Sequence, residues 1–95
     1  MRVRIPPVAS VGTAIKLFYS FPLFSSTNIK ELFGCSDSTA WKLKQKAFEH
    51  QKKNGVPVYN ALLVDTQSAF ESWGLDISTL ETMYKKQIEY GLEVN

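Results

Sequence analysis

The residues best suited to chemistry are lysines in the middle of the chain. Between Ser38 and Gly55 there are five lysines and a single acidic residue, Glu49. From Asp65 onward the sequence has six acidic residues and two lysines, although the whole chain carries only +2. Clustered positive charge attracts polyanions such as a phosphate backbone. A solvated, lysine-rich helix face that binds nothing would give the same pattern.

Hydrogen-bonding side chains lie among these lysines. Lys42 can reach the acceptors of guanine in a major groove, and Gln45 can pair with both edge atoms of adenine. Ser38 and Thr39 are expected to cap a helix, whose N-terminus is a natural phosphate site. The predicted DNA-binding residues are Ser38, Thr39, Lys42 and Gln45 near the bases, with Lys44, Lys46, Lys52 and Lys53 near phosphates.

Catalytic and metal chemistry are not indicated. One cysteine, Cys35, and one histidine, His50, cannot supply the ligands of a structural zinc site, and they leave no intramolecular disulfide. There is no glycine-rich phosphate loop, nucleophile elbow or recognisable carboxylate pair. We therefore expect no enzymatic activity, no metal and no cofactor. Cys35 is interpreted as a small buried hydrophobe and His50 as a polar helix residue.

Membrane insertion and export are not expected either. No apolar run approaches the roughly 18 residues of a membrane span. Lys16 interrupts the first apolar segment, which argues against a signal peptide. We expect a soluble, cytoplasmic, single domain over residues 1–95.

Three helices are predicted in the first half of the chain. The first runs from Val11 and ends before Pro22, because proline breaks a helix. A short second helix ends at Gly34, and a longer third helix runs to about Lys53. Its start is marked by Ser36, Asp37, Ser38 and Thr39, among which Asp37 is expected to act as a cap.

Capping patterns suggest further boundaries. Asn28 and Glu31 have capping-box spacing, as do Ser78 and Glu81. Asp65 is expected to cap a helix that ends at Gly74. Residues 56–64 are apolar and β-branched, and predict an edge strand or an irregular hairpin.

Aromatic residues are assigned mainly to the core. We expect Phe18, Tyr19 and Phe21 to be buried, and Trp73 to anchor the C-terminal helix, with a partner surface as the alternative. Trp41 is expected to pack on the N-terminal helix, with contact to a DNA backbone as the alternative.

The second and third helices meet across Gly34, Cys35 and Ser36. Apolar and small residues on both sides would let the helices dock closely; these are Ile29, Leu32, Phe33, Ala40, Leu43 and Ala47. A tight corner of this kind presents the exposed face of its second helix to a major groove.

Segment 26–46 resembles the bacterial and phage helix-turn-helix family, in which a Leu/Phe-Gly-x-Ser corner precedes a Ser/Thr-rich helix start. The matching residues are Leu32, Phe33, Gly34, Ser36, Ser38, Thr39, Ala40 and Leu43. Lys30 stands where the family has a small residue, so either the corner is shifted or the lysine snorkels past it. A wing after the third helix would make the chain similar to excisionase-like and small phage regulatory proteins.

The helix pattern and this resemblance predict a mainly α fold: a helix-turn-helix over 26–46, a wing over 56–64 and C-terminal helices over 66–91. The resemblance implies sequence-specific binding of double-stranded DNA, by a transcriptional regulator or a recombination accessory factor. The alternative is a protein–protein interaction module that uses the helical corner and the C-terminal helix without binding DNA.

The C-terminal helix suggests a homo-oligomer on DNA. Its apolar residues exceed what one face can bury in a small domain; they are Met83, Tyr84, Ile88, Tyr90 and Leu92, with Glu81, Glu89 and Glu93 beside them. We expect this surface to join copies bound at adjacent half-sites. Alternatively, the same side chains complete the core of the monomer.

Overall fold

Helices account for most of the computed structural model, which describes residues 4–58 and 60–91. The described elements are α1 (Val11–Ser20), β1 (Leu23–Phe24), α2 (Ser26–Phe33), α3 (Asp37–Lys53), β2 (Val64–Asp65), α4 (Thr66–Ser72) and α5 (Ile77–Glu89). The fold is therefore mainly α, as the sequence predicts. Among the described residues, no helix combines the length and apolar character needed to cross a bilayer.

The first helix forms where it was predicted. The side chain of Ser10 accepts a hydrogen bond of 3.0 Å from the amide of Thr13 and caps α1. The helix ends at Ser20, and its C-terminal cap Phe21 lies directly before Pro22. Proline cannot donate a helical hydrogen bond, so the chain leaves the helix here and enters β1.

The start of α2 differs from the prediction in its capping pair. Ser25 and Asn28 form the capping box: Asn28 Oδ1 accepts from the amide of Ser25 at 3.0 Å, and Ser25 Oγ accepts from the amide of Asn28 at 3.3 Å. The predicted pairing of Asn28 with Glu31 is wrong, because α2 begins at Ser26 and places Asn28 at its third position.

The turn between α2 and α3 is short. Gly34 has φ 62° and ψ 38°, the left-handed conformation that glycine adopts most easily, and its amide donates to the carbonyl oxygen of Lys30 at 2.7 Å. Ser36 caps α3 through the amide of Thr39. The expected capping by Ser38 and Thr39 is therefore wrong, because α3 already begins at Asp37. The third helix then ends at Lys53, with Asn54 as its C-terminal cap followed by Gly55, as predicted.

The two C-terminal helices, α4 and α5, each begin after an aspartate that acts as the N-terminal cap. Asp65 accepts from the amide of Ser68 at 2.9 Å and caps α4, as predicted. Asp76 caps α5 by accepting from the amide of Ser78 at 3.2 Å. The predicted capping box of Ser78 with Glu81 is therefore wrong, because α5 begins at Ile77, two residues earlier than that pairing requires.

The strand predicted over 56–64 is mostly absent from the described residues, and the structure has instead a sheet of two short strands, β1 and β2. β1 and β2 are antiparallel, with Phe24 opposite Val64, and Val64 is the only described residue of 56–64 that lies in either strand. Residues 56–58 have no regular structure. Asn60 then turns the chain, because its side chain accepts from the amide of Leu62 at 2.7 Å. The predicted edge strand is thus wrong for most of its length, whereas the alternative prediction, an irregular hairpin, agrees with the isolated antiparallel bridge between Asn60 and Leu63.

An aromatic cluster occupies the core between the helices. Its rings make edge-to-face or tilted contacts with one another; they belong to Phe18, Phe24, Phe33, Phe70 and Trp73. Trp73 is buried at the end of α4, which places it in the core rather than on a partner surface.

Two aromatic residues predicted to be in the core are exposed. Tyr19 is turned away from the core-facing residues Ala14 and Leu17 of α1, and Phe21 is the C-terminal cap, where the backbone has left the helix. Instead of packing inward, the hydroxyl of Tyr19 donates a hydrogen bond to the carboxylate of Glu81 on α5. This bond raises the pKa of Tyr19.

Candidate nucleic-acid interface

The long helix α3 has one side in the core and one side in solvent. It packs mainly on α2, β2 and α4. The buried residues are Ala40, Leu43, Lys44, Ala47, Phe48 and Gln51. Within residues 4–58 and 60–91, this packing along one side leaves most of the opposite side of the helix open to a ligand.

The predicted interface residues other than Lys44 lie on that free side. At about 100° per residue they fall within an arc of about 140°. We call this the basic face: Ser38, Thr39, Lys42, Gln45, Lys46, Lys52 and Lys53. Glu49 lies in the same arc and lowers its net positive charge.

Lys44 does not belong to the basic face. It is buried, and its Nζ donates a hydrogen bond of 3.2 Å to Ser26 Oγ of α2. Burial disfavours the ammonium ion and lowers the pKa of Lys44. The prediction that Lys44 contacts phosphate is therefore wrong, because its side chain points between the two helices of the corner. Its spacing of four residues from Ala40 was the signal that it shares the buried side.

An ion pair crosses the corner. Lys30 Nζ lies 2.7 Å from Asp37 Oδ1, and this contact raises the pKa of Lys30. The side chain of Lys30 thus extends past the corner to Asp37. The expectation that Asp37 caps α3 is wrong, since Ser36 is the cap. Pairing with Lys30 offsets a negative charge that would otherwise repel phosphate at the start of α3.

Trp41 is exposed rather than packed on the N-terminal helix. Its side chain is 55% accessible, at the edge of the basic face. Trp41 is one residue from the buried Ala40, which turns it about 100° away from the core. The expected packing on the N-terminal helix is wrong, and the indole is available to a ligand of the basic face.

The loop of residues 56–58 and 60–63 is held to α3 by Gln51. Gln51 is 1% exposed; its Nε2 donates to the carbonyl oxygen of Pro57 at 2.7 Å, and its Oε1 accepts from the amide of Asp65 at 3.0 Å. One buried amide thus holds both ends of the loop. This role of Gln51 was not predicted from the sequence, although its spacing from Ala40 and Ala47 matches one side of a helix.

The loop lies next to the basic face. Val58 and Ala61 share a shallow groove with Gln45 and Lys52 of α3. Val58 is 40% exposed and Leu62 is 69% exposed. A ligand on the C-terminal half of the basic face would therefore also meet an apolar loop.

Comparisons with protein-family models, curated proteins and solved structures give no match. Across residues 4–58 and 60–91, no group of three His, Cys, Asp or Glu side chains is arranged to hold a metal ion. The site is therefore interpreted from its own geometry: cations, amides and hydroxyls on one face of a helix, beside a tight corner.

Proposed function

We propose that this protein binds double-stranded DNA, with α2 and α3 acting as a helix-turn-helix and α3 lying in the major groove. The observation that carries the proposal is the basic face. Lys42, Lys52 and Lys53 are exposed on one side of a helix that is covered on its other side. An α-helix fits the major groove, and cations along it neutralise phosphates.

Base contacts are assigned to the N-terminal half of α3. Ser38, Lys42 and Gln45 are spaced by four and three residues, so they follow one line along the helix. Lysine and glutamine in this line match the acceptors of guanine and the paired donor and acceptor of adenine. Lys46, Lys52 and Lys53 are assigned to phosphates.

The loop after α3 is assigned the place of a wing. It follows the proposed recognition helix, and Gln51 holds it beside Lys52. The described loop residues carry no charge, so it would contribute shape and apolar contacts rather than phosphate binding. In this proposal the protein acts as a transcriptional regulator or as an accessory factor in recombination.

A second candidate function is protein–protein interaction without DNA. It is favoured by exposed apolar side chains outside the basic face, among them Tyr19, Met83 and Ile88. The two functions differ in their response to salt. Binding to DNA releases counterions and weakens steeply with salt, whereas an apolar interface does not.

The test is a fluorescence anisotropy titration of random-sequence duplex DNA at a series of salt concentrations. The parent chain is compared with the double variant Lys52→Gln/Lys53→Gln. The matched control, Lys16→Gln/Lys86→Gln, also removes two exposed lysines, but from α1 and α5. We expect the first variant to reduce the log–log salt slope by about 0.9 for each phosphate that a lysine no longer neutralises. The control should retain the parent slope.

Two results would contradict the proposal. One is a parent protein that does not bind duplex DNA at low salt. The other is an equal loss of affinity in both double variants, which would show a general charge effect rather than a basic face.

A further inference from the structure

Helix α5 is less covered than the other long helices. Of its thirteen residues only Leu80 is buried, and it packs mainly on α1. Met83 is 44% exposed and Ile88 is 58% exposed, while Ile77 and Tyr84 are partly buried against the core. A surface helix normally buries an apolar stripe at every third or fourth residue. The apolar residues of α5 therefore complete the core only in part; Leu92 lies outside the described residues.

A groove runs between α1 and α5. Its volume is about 530 Å³. Ile15 and Tyr19 of α1 form one wall, and the other includes a line of residues along α5 that we call the groove stripe: Ser78, Glu81, Lys85 and Ile88. The groove is large enough for several side chains of a helix rather than for one.

The groove stripe is complementary to itself in an antiparallel arrangement. Its residues are spaced symmetrically around Met83. When two such helices run antiparallel with a two-fold axis at this position, Glu81 of each lies opposite Lys85 of the other. Ser78, a small residue, lies opposite the larger Ile88. Opposite charges that meet twice by symmetry are typical of an isologous contact.

The two charges of the stripe are available for such a contact. Within residues 4–58 and 60–91, neither Glu81 nor Lys85 makes an ion pair. Glu81 accepts a hydrogen bond from Tyr19, which holds the carboxylate at the groove. A carboxylate has room for further donors after accepting one hydrogen bond.

We propose that the α1–α5 groove binds the same groove of a second copy, forming a two-fold symmetric dimer with antiparallel α5 helices. The interface is a four-helix arrangement of α1 and α5 from each copy, with Ile15, Tyr19 and Ile88 as its apolar part. Glu81 and Lys85 determine the direction and register of the pairing. The inference does not rest on DNA binding, and the basic face of α3 takes no part in it.

The test is sedimentation equilibrium of the charge-reversal variants Glu81→Lys and Lys85→Glu, each alone and then mixed in equal amounts. Each variant alone places like charges opposite one another twice, so its dimer should dissociate about tenfold more readily than that of the parent. In the mixture every Lys faces a Glu of the other variant, and dimerisation should return to the parent strength. This rescue would not follow from effects within a single helix.

Lys86→Glu is the matched control, because it makes the same charge change on α5 outside the groove stripe. It should dimerise like the parent. Ile88→Asp should prevent dimerisation without unfolding the chain, because Ile88 is mostly exposed in the monomer; circular dichroism verifies the fold.

Two results would overturn the proposal. A parent chain that stays monomeric at millimolar concentration would show that the groove does not bind a second copy. A dimer that is unaffected by the reversals and by Ile88→Asp would use another surface.

Discussion

The indole Nε1 of Trp73 donates a hydrogen bond of 3.1 Å to the carbonyl oxygen of Leu43, near the middle of α3. Trp73 is the C-terminal cap of α4 and is 4% exposed. Its ring also meets Phe33 of α2 edge to face. This one side chain therefore joins three helices, and it helps to decide which side of α3 faces solvent.

Replacing Trp73 with phenylalanine should destabilise the fold. The change removes a buried hydrogen bond and leaves a space in the aromatic cluster, so we expect the free energy of unfolding to fall by about 1–3 kcal/mol. Urea denaturation measures the loss. Trp41→Phe is the matched control and should change the free energy by less than about 0.5 kcal/mol, because Trp41 is exposed. Equal losses in both variants would contradict the assignment of Trp73 as the structural tryptophan.

Replacing Gln51 with leucine should release the loop after α3. The carbonyl oxygen of Pro57 and the amide of Asp65 would lose their partner, and a buried polar group without a hydrogen bond costs about 1–3 kcal/mol. Hydrogen exchange should accelerate at Leu63 and Asp65 before it does so in the middle of α3. Gln67→Leu, at an exposed position of α4, is the control. Unchanged exchange around the loop in Gln51→Leu would refute this role.

Replacing Lys44 with methionine should stabilise the protein near neutral pH. Burial lowers the pKa of Lys44 below 10.5, so its ammonium form is disfavoured in the folded state. The folded state therefore loses this proton before the unfolded state does, and the parent gains stability as the pH rises towards 10.5. Above that pH the amine is neutral in both states and the cost disappears.

Thermal unfolding at neutral and at alkaline pH measures this difference. Lys44→Met should unfold at a higher temperature than the parent at pH 7, and its advantage should shrink as the pH approaches 10.5. Lys42→Met, at an exposed position, should show no such pH dependence. The affinity of Lys44→Met for duplex DNA should equal that of the parent. A clear loss of affinity would show that Lys44 does contact DNA.

Replacing Gln45 with alanine should alter sequence preference rather than overall affinity. If Gln45 pairs with a base edge, its loss should change discrimination at one base pair by about 1–3 kcal/mol. Selection of binding sites from a randomised duplex pool, followed by titration of single-base variants, measures the preference. Gln67→Ala serves as the control. An identical preference profile for the parent and Gln45→Ala would remove Gln45 from base recognition.

The sequence predicted the local boundaries well because they depend on contacts between near neighbours. Gly34 could end α2 because its left-handed backbone needs no distant partner, and Asp65 could cap α4 through an amide three residues away. The side of α3 that faces solvent was also largely predictable, since Lys42 and Gln45 follow from helical spacing relative to Ala40. The capping pairs were predicted wrongly where two possible caps lay within one turn, as with Asp76 and Ser78.

The tertiary structure decided which side chains are covered and by what. Lys44 was expected to be exposed and is buried, because α2 lies over it. Trp41 was expected to be packed and is exposed, because no described element lies over it. Gln51 acquires its role only when Pro57 and Asp65 return to α3. Hydrogen bonds of caps and turns form within a few residues and are therefore encoded locally. Burial, by contrast, depends on which distant element packs on a given face, and a single sequence does not state that arrangement.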